Sequence, residues 1–203
     1  MASKPGERRL QILQVLAEML QDPKGEKITT AGLAARLDVS EAALYRHFAS
    51  KAQMYEGLIE FIESSLFSMF NKITAEERSG LKQVELVLAL LLGFAQKNRG
   101  LTRVLIGDAL VNEDDRLQAR INQMLDRVEA TLKQALRVAA TNGELEQSTD
   151  FAAAANLMVC YAIGRWQQFA KSGFSRDPLA GWPMQWPQLC AACVAGAKAE
   201  ASG

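Results

Sequence analysis

The apolar residues of this chain recur three and four positions apart along nearly its whole length and nowhere alternate over a useful run. That spacing turns one side of a helix toward a core and does not suit a half-buried strand, so the chain is expected to fold as packed helices. Leu13, Leu16, Ala17 and Leu20 place a first helix over about residues 7–21, closed by the turn Asp22-Pro23-Lys24-Gly25. Thr29 or Thr30 caps a short helix reaching Leu37, Ser40 caps another reaching His47, and Ser50 caps a longer one. That longer helix is expected to carry Met54, Leu58, Phe61, Ile62, Ser65 and Met69 along one face. Ser79-Gly80 breaks the pattern before a very apolar helix over residues 81–97, which Asn98-Arg99-Gly100 closes. A short helix over 101–110 follows, then a long one that starts at Asn112 and stops at Asn142-Gly143. Its first turn carries Glu113, Asp114 and Asp115, the charge a helix N-terminus favours. Helices over 149–171 and 182–198 bring the expected total to about nine, with no sheet.

Composition narrows the class of function. With 203 residues, 49 % apolar and 23 % charged, the chain has the make-up of a globular protein. The longest apolar run, residues 86–95, is too short for a bilayer core of about 30 Å, and Met1 to Arg9 holds no signal-type apolar run. Three cysteines argue against a disulfide framework and for a reducing compartment. A cytoplasmic protein with no membrane partner is expected. Formal charge is zero, so bulk basicity announces no nucleic acid, although the first 51 residues carry eight Lys/Arg against six Asp/Glu.

A sharper signal lies in Thr29 to Phe48, TTAGLAARLDVSEAALYRHF, which has the grammar of a helix-turn-helix. Leu33, Leu37, Val39, Leu44 and Phe48 can form a shared small core, and Ala34 is small where the two helices cross. Asp38 sits at the turn, where a positive φ is usual and aspartate is tolerated. Such a unit presents its second helix to a major groove. Thr29, Ser40, Tyr45, His47 and Lys51 are the candidate backbone contacts, with Ala42 and Tyr45 facing bases and Thr30 and Arg46 as further candidate DNA-binding residues. An N-terminal arm offers Lys4, Arg8 and Arg9 to the backbone.

The run ITTAGLAARLDVSEAALYRHFASKAQMYEGLIEF resembles the DNA-binding domain of the TetR family of bacterial regulators. The resemblance implies an all-α fold, with a three-helix head over residues 1–50 and a connecting helix that opens a dimerising, partner-binding body over 51–198. A disordered tail over 199–203 is expected to follow. From about Ile12 to Leu136, including LLLGFAQKNRGLTRVLIGDALVNEDDRLQARINQ, the chain is similar to the nucleoid-occlusion branch of that family. Members of that branch bind palindromic chromosomal sites as homodimers. When DNA-bound, they capture the C-terminal tail of the tubulin-like division protein FtsZ and antagonise its ring. The resemblance therefore implies a nucleoid-associated regulator without a cofactor. It places the tail site between the fourth and fifth helices, at Phe61, Ser65, Met69, Leu90, Gly93, Phe94, Lys97 and Asn98. The branch tends to carry arginine where this chain has Met69 and Lys97.

The residues themselves bear on that role. Gly93 interrupts a strong helix former at a cost of about 1 kcal/mol relative to alanine, a usual sign that another backbone approaches, either a neighbouring helix or a bound peptide. Leu86, Leu90, Gly93 and Lys97 would form an apolar strip ending in a cation, which suits an extended tail with apolar and acidic groups. A conventional repressor released by a small hydrophobic ligand is the alternative. It would need a body cavity lined by residues such as Phe151, Tyr161, Trp166 and Phe169. Cys190-Ala-Ala-Cys193 lacks the further ligands a metal would require and is expected to pack. Trp182, Pro183, Trp186 and Pro187 are expected to start the last helix and anchor a subunit interface. No nucleophile–base–acid set or phosphate loop is present, so an enzyme is not expected.

Overall fold

A computed structural model describes residues 5–22 and 28–199, with side chains over 6–22 and 28–192. The turn residues Pro23, Lys24 and Gly25, the arm residue Lys4, the Cys193 side chain and the end of the tail lie outside that range. Among the described residues the chain forms nine α-helices and one 3₁₀ turn: α1 (Pro5–Met19), α2 (Thr30–Arg36), α3 (Glu41–Tyr45), α4 (Lys51–Glu76), α5 (Gly80–Lys97), α6 (Arg99–Leu105), the 3₁₀ turn Asp108–Leu110, α7 (Asp115–Thr141), α8 (Phe151–Lys171) and α9 (Trp182–Ala199). The chain divides into two compact units, one of residues up to Ser64 together with Asn98–Asn122, the other of Ser65–Lys97 and the residues from Gln123 onward.

In the first unit, α1 packs on α2 and α6, and α2 on α3. Ile12 and Leu16 of α1, with Leu20 just after it, share the unit's core with Leu33, Leu44, Phe48, Leu58, Ile62 and Val104. Gly100 is not a helix stop. It lies inside α6, where an added Cβ would stand 2.0 Å from the Ala17 carbonyl oxygen. The nearby Arg103 is buried, bonding Asp108 at 2.8 Å and reaching the carbonyls of Leu20 and Asp22 at 3.4 Å each, so a cation answers the open carbonyls at the end of α1. The start of α7 is tied to α4 by Arg120 with Glu63 at 2.7 Å and Arg116 with Glu56 at 3.1 Å.

The single face expected on α4 is two faces. Met54, Leu58, Ile62 and Leu66 are buried, whereas Phe61 and Met69 are 49 % and 44 % exposed. The physical reason is the 100° step of a helix, which separates positions 61 and 62 enough for one to enter a core and the other to leave it.

In the second unit, α5 packs on α8 and α8 on α9. Trp166 fills the middle of this core, its indole N–H donating to the Leu91 carbonyl at 3.1 Å. The N-terminus of α5 is capped from a distant part of the chain. The Glu144 carboxylate accepts from Ser79 Oγ at 2.7 Å and from the backbone N–H groups of Gly80 and Leu81 at 3.0 Å each. Asn142, at the end of α7, donates to the same carboxylate at 3.1 Å. Desolvation pushes this carboxyl up, but the bonds from Ser79, Leu81, Asn142 and Gly80 together outweigh it and hold the group below its ordinary 4.5. A depressed folded pKa adds stability that is present above the unfolded value and disappears as pH falls through the folded one. Glu144→Gln should therefore cost stability at pH 7 and progressively less as the solution is acidified below about 4.5. Urea denaturation of both proteins across that window checks the sign; a difference that grows toward acid would contradict it.

Candidate nucleic-acid interface and the exposed strip of the body

The head is built by local chemistry. Thr29 caps α2, its Oγ1 accepting from the Gly32 N–H at 3.0 Å, and Ser40 caps α3 by accepting from the Ala43 N–H at 3.3 Å. Between them Asp38 has φ of 53°, the left-handed turn that lets the two helices cross. Leu33, Ala34, Leu37, Leu44 and Phe48 are buried beneath that crossing, with Val39 half-buried. Thr30 Oγ1 donates to Glu41 at 2.5 Å and so ties the start of α2 to the start of α3. Helix α3 ends at Tyr45, two residues before the expected end. Ala42, Tyr45 and Arg46 are exposed and His47 is half-buried.

Arg9 does not belong to a free arm. It lies in α1, donates to the His47 carbonyl at 2.5 Å and stacks 4.1 Å from the centre of the Phe48 ring. It therefore fixes the end of the recognition segment. Arg8 is bonded along its own helix to Gln11 at 2.5 Å.

Ser50 caps α4, accepting from the Gln53 N–H at 3.2 Å, while Gln53 Oε1 accepts from the Ala49 N–H at 2.9 Å. Lys51, the first residue of α4, is paired with Glu113 and lies 5.6 Å from the centre of the Tyr55 ring. The three acids expected in the first turn of α7 are dispersed. Asn112 has φ of 62°, Asp114 caps the helix by accepting from the Arg116 N–H at 3.1 Å, and Glu113 faces Lys51 instead. Burial, with the Glu113 charge behind it, pushes the Tyr55 hydroxyl well above its ordinary 10.0. Sequence reasoning missed this pair because 62 positions separate its members.

On the body, Ser65 and Met69 follow Phe61 on one face of α4, Ser65 being half-buried. On α5, Leu86, Leu90, Gly93 and Phe94 are half-buried and Lys97 is exposed. Asn98 opens α6, its carbonyl accepting from both the N–H and the hydroxyl of Thr102. A Cβ placed on Gly93 would have the Leu179 Cδ1 atom at 3.9 Å as its near neighbour, an ordinary contact. The packing of this unit therefore does not require a glycine there. Trp166 and Phe169 fill the core, Phe169 against the edge of Phe174 with ring centres 5.1 Å apart. Trp182 is also buried within its own chain, between Tyr161 and Trp186, rather than offered to a partner. No group of three or more His, Cys, Asp or Glu able to hold a metal occurs among the described residues, and no described helix is long and apolar enough to cross a membrane.

Comparison with known proteins agrees with this architecture. Residues 13–58 match the model of bacterial regulatory proteins of the tetR family, and residues 78–193 match an SlmA-like, tetracyclin repressor-like C-terminal domain. Nucleoid occlusion factor SlmA of Alteromonas mediterranea is 53 % identical over 185 residues, covering 91 % of this chain and 95 % of that protein. Nucleoid occlusion factor SlmA of a Marinomonas species is 47 % identical over 189 residues, covering 93 % of this chain and 96 % of its own. A TetR transcription regulator from Haloarcula marismortui shares the fold with a TM-score of 0.78 at 15 % identity, over 93 % of this chain and 99 % of that one. The capped helix-turn-helix head and all-helical body thus define a TetR-type regulator, a DNA-binding protein rather than an enzyme. Within that class, the chain belongs to the SlmA family of nucleoid occlusion factors.

Proposed function

We propose that two copies of this chain bind a palindromic duplex and, once bound, capture the C-terminal tail of FtsZ and oppose ring assembly over the chromosome. In this reading the protein is nucleoid-associated. Exposed apolar side chains on α8 and α9, Leu157 at 44 % and Met184 at 72 %, support pairing through those helices. Two heads then enter successive major grooves about 34–36 Å apart. Thr29, Ser40, Tyr45, His47 and Lys51 hold the backbone while Ala42 and Tyr45 face bases, with Thr30 and Arg46 beside them at the DNA.

The observation that supports tail capture best is Gly93. A half-exposed glycine in the middle of α5, which its own fold does not need, sits one turn from exposed Lys97 and beside half-buried Leu90 and Phe94. An extended peptide can approach the α5 backbone there, and Lys97 can meet an acidic group. Ser65 and Met69, with Phe61 earlier on α4 and Asn98 directly after Lys97, complete the proposed contacts. Titration of a labelled FtsZ tail peptide against the full chain, with and without its selected palindrome, tests the reading. Saturable binding that strengthens with DNA is expected. An absence of peptide binding at every DNA concentration, joined by release of DNA on adding a hydrophobic ligand, would favour the ligand-released repressor instead.

The Lys51–Glu113 pair adds a condition to DNA binding, because a phosphate reaching Lys51 must compete with Glu113. Lys51→Ala should weaken all duplex sequences about equally and reduce the salt slope by about one unit. Glu113→Gln should tighten them equally, by about 1 kcal/mol or less. Affinities measured over a salt series on specific and scrambled duplexes check both; a change in base preference would refute the phosphate role.

A further inference from the structure

The segment between α8 and α9 passes beside the same stretch of α5, and it is fastened more firmly than a simple connection requires. Arg165 of α8 donates from Nε to the Pro178 carbonyl at 3.0 Å, and from Nη2 to the carbonyls of Asp177 at 2.9 Å and Ala180 at 2.8 Å. Asp177 Oδ1 in turn accepts from the Leu179 N–H at 2.9 Å and from Gln96 Nε2 of α5 at 2.9 Å. The turn is thereby held from two helices, and the residue at its centre is Leu179. That side chain is only half-buried, and its Cδ1 stands 3.9 Å from where a Gly93 Cβ would be. It neither fills the core as Trp166 does nor presses on the glycine backbone.

We infer that this segment forms one wall of the tail site, with Leu179 as an apolar contact for the bound peptide and Arg165 as the residue that positions it. The inference rests on the proposed tail reading and extends the site from α4 and α5 to a third element. Physical economy favours it. A leucine already held in place by its clamp loses little freedom when a ligand covers it, so the apolar area it buries counts toward affinity rather than toward ordering a loop. Half-exposed Gly93, flanked by Leu90 and Leu179 and followed by exposed Lys97, fits a peptide with an apolar side chain near Gly93 and a carboxylate one turn further along.

The test uses the full chain bound to its palindrome and an FtsZ tail peptide, with Leu179→Asp and Arg165→Gln as variants. Leu179→Asp should weaken peptide binding by about tenfold or more, since it removes an apolar contact and sets a carboxylate against an acidic ligand. Arg165→Gln should weaken it about threefold by releasing the turn. DNA affinity and the dimer mass in sedimentation should remain those of the wild type in both. Unchanged peptide affinity in Leu179→Asp overturns the inference while leaving the tail reading in place. So does a loss of dimer or of DNA binding, which would make Leu179 part of the subunit interface or the core. A wild-type chain that binds no tail peptide removes both proposals together.

Discussion

Replacing Gly80 by alanine should unfold the second unit or leave it with little stability. Gly80 is the first residue of α5, and a Cβ there would stand 2.1 Å from the Ala139 nitrogen and 2.4 Å from the Ala135 carbonyl oxygen of α7. Both neighbours are backbone, so no rotamer change relieves the overlap; α5 would have to back away from α7 and break the bonds from Glu144 to Ser79, Gly80 and Leu81. A loss of about 4 kcal/mol or more is expected, a large part of the stability of an ordinary domain. Gly100→Ala should do comparable damage in the first unit, where the Cβ would meet the Ala17 carbonyl oxygen at 2.0 Å. Urea denaturation followed by circular dichroism measures both. A Gly80→Ala protein within about 1 kcal/mol of wild type would show that α5 and α7 do not approach as closely as described.

The third glycine should behave in the opposite way. Gly93→Trp is expected to abolish tail binding, by about a hundredfold or more, while leaving DNA affinity and folding intact. The indole would stand over the α5 backbone where the peptide is proposed to run, beside Leu179, which comes within 3.9 Å of a Gly93 Cβ. Gly93→Ala separates the two roles further. It should raise helix stability by about 1 kcal/mol, since glycine is the poorer helix former, and still lower tail affinity. A stabilising substitution that costs function marks a position kept for a partner. If Gly93→Trp instead destabilises the chain or weakens DNA binding in step with peptide binding, the glycine serves the fold and the tail site lies elsewhere.

These three glycines also show what could be read from the sequence. Caps and turns were legible because their chemistry is local: Thr29, Ser40 and Ser50 accept from N–H groups three residues on, and Asp38 takes the positive φ its position suggested. The helical content and the small core of the head followed from periodicity for the same reason. Gly80 and Gly100 were read as breaks, since a lone glycine gives no sign of which distant backbone presses on it. Glu144 capping α5, Arg103 meeting the end of α1 and Glu113 holding Lys51 are all contacts between segments far apart in the chain. Spacing arguments cannot reach them. On α4, periodicity identified both the buried residues and the exposed ones, but merged into one face what a helix divides between core and solvent. For the proposed tail site, the strip Leu86, Leu90, Gly93 and Lys97 was visible at helical spacing, whereas Leu179 was not, because the clamp by Arg165 and Asp177 that holds it beside Gly93 joins distant segments.

In the proposed reading, grip on duplex DNA and capture of the tail are linked in one helical protein, with α4 running from Lys51 to the face that carries Met69. Linkage is reciprocal for binding free energies. The most direct measurement is therefore the affinity of the dimer for its palindrome with and without a saturating tail peptide, set beside the affinity for peptide with and without DNA. Peptide is expected to tighten DNA binding by the same factor by which DNA tightens peptide binding. Identical DNA affinities in the two conditions, with peptide bound in both, would contradict it.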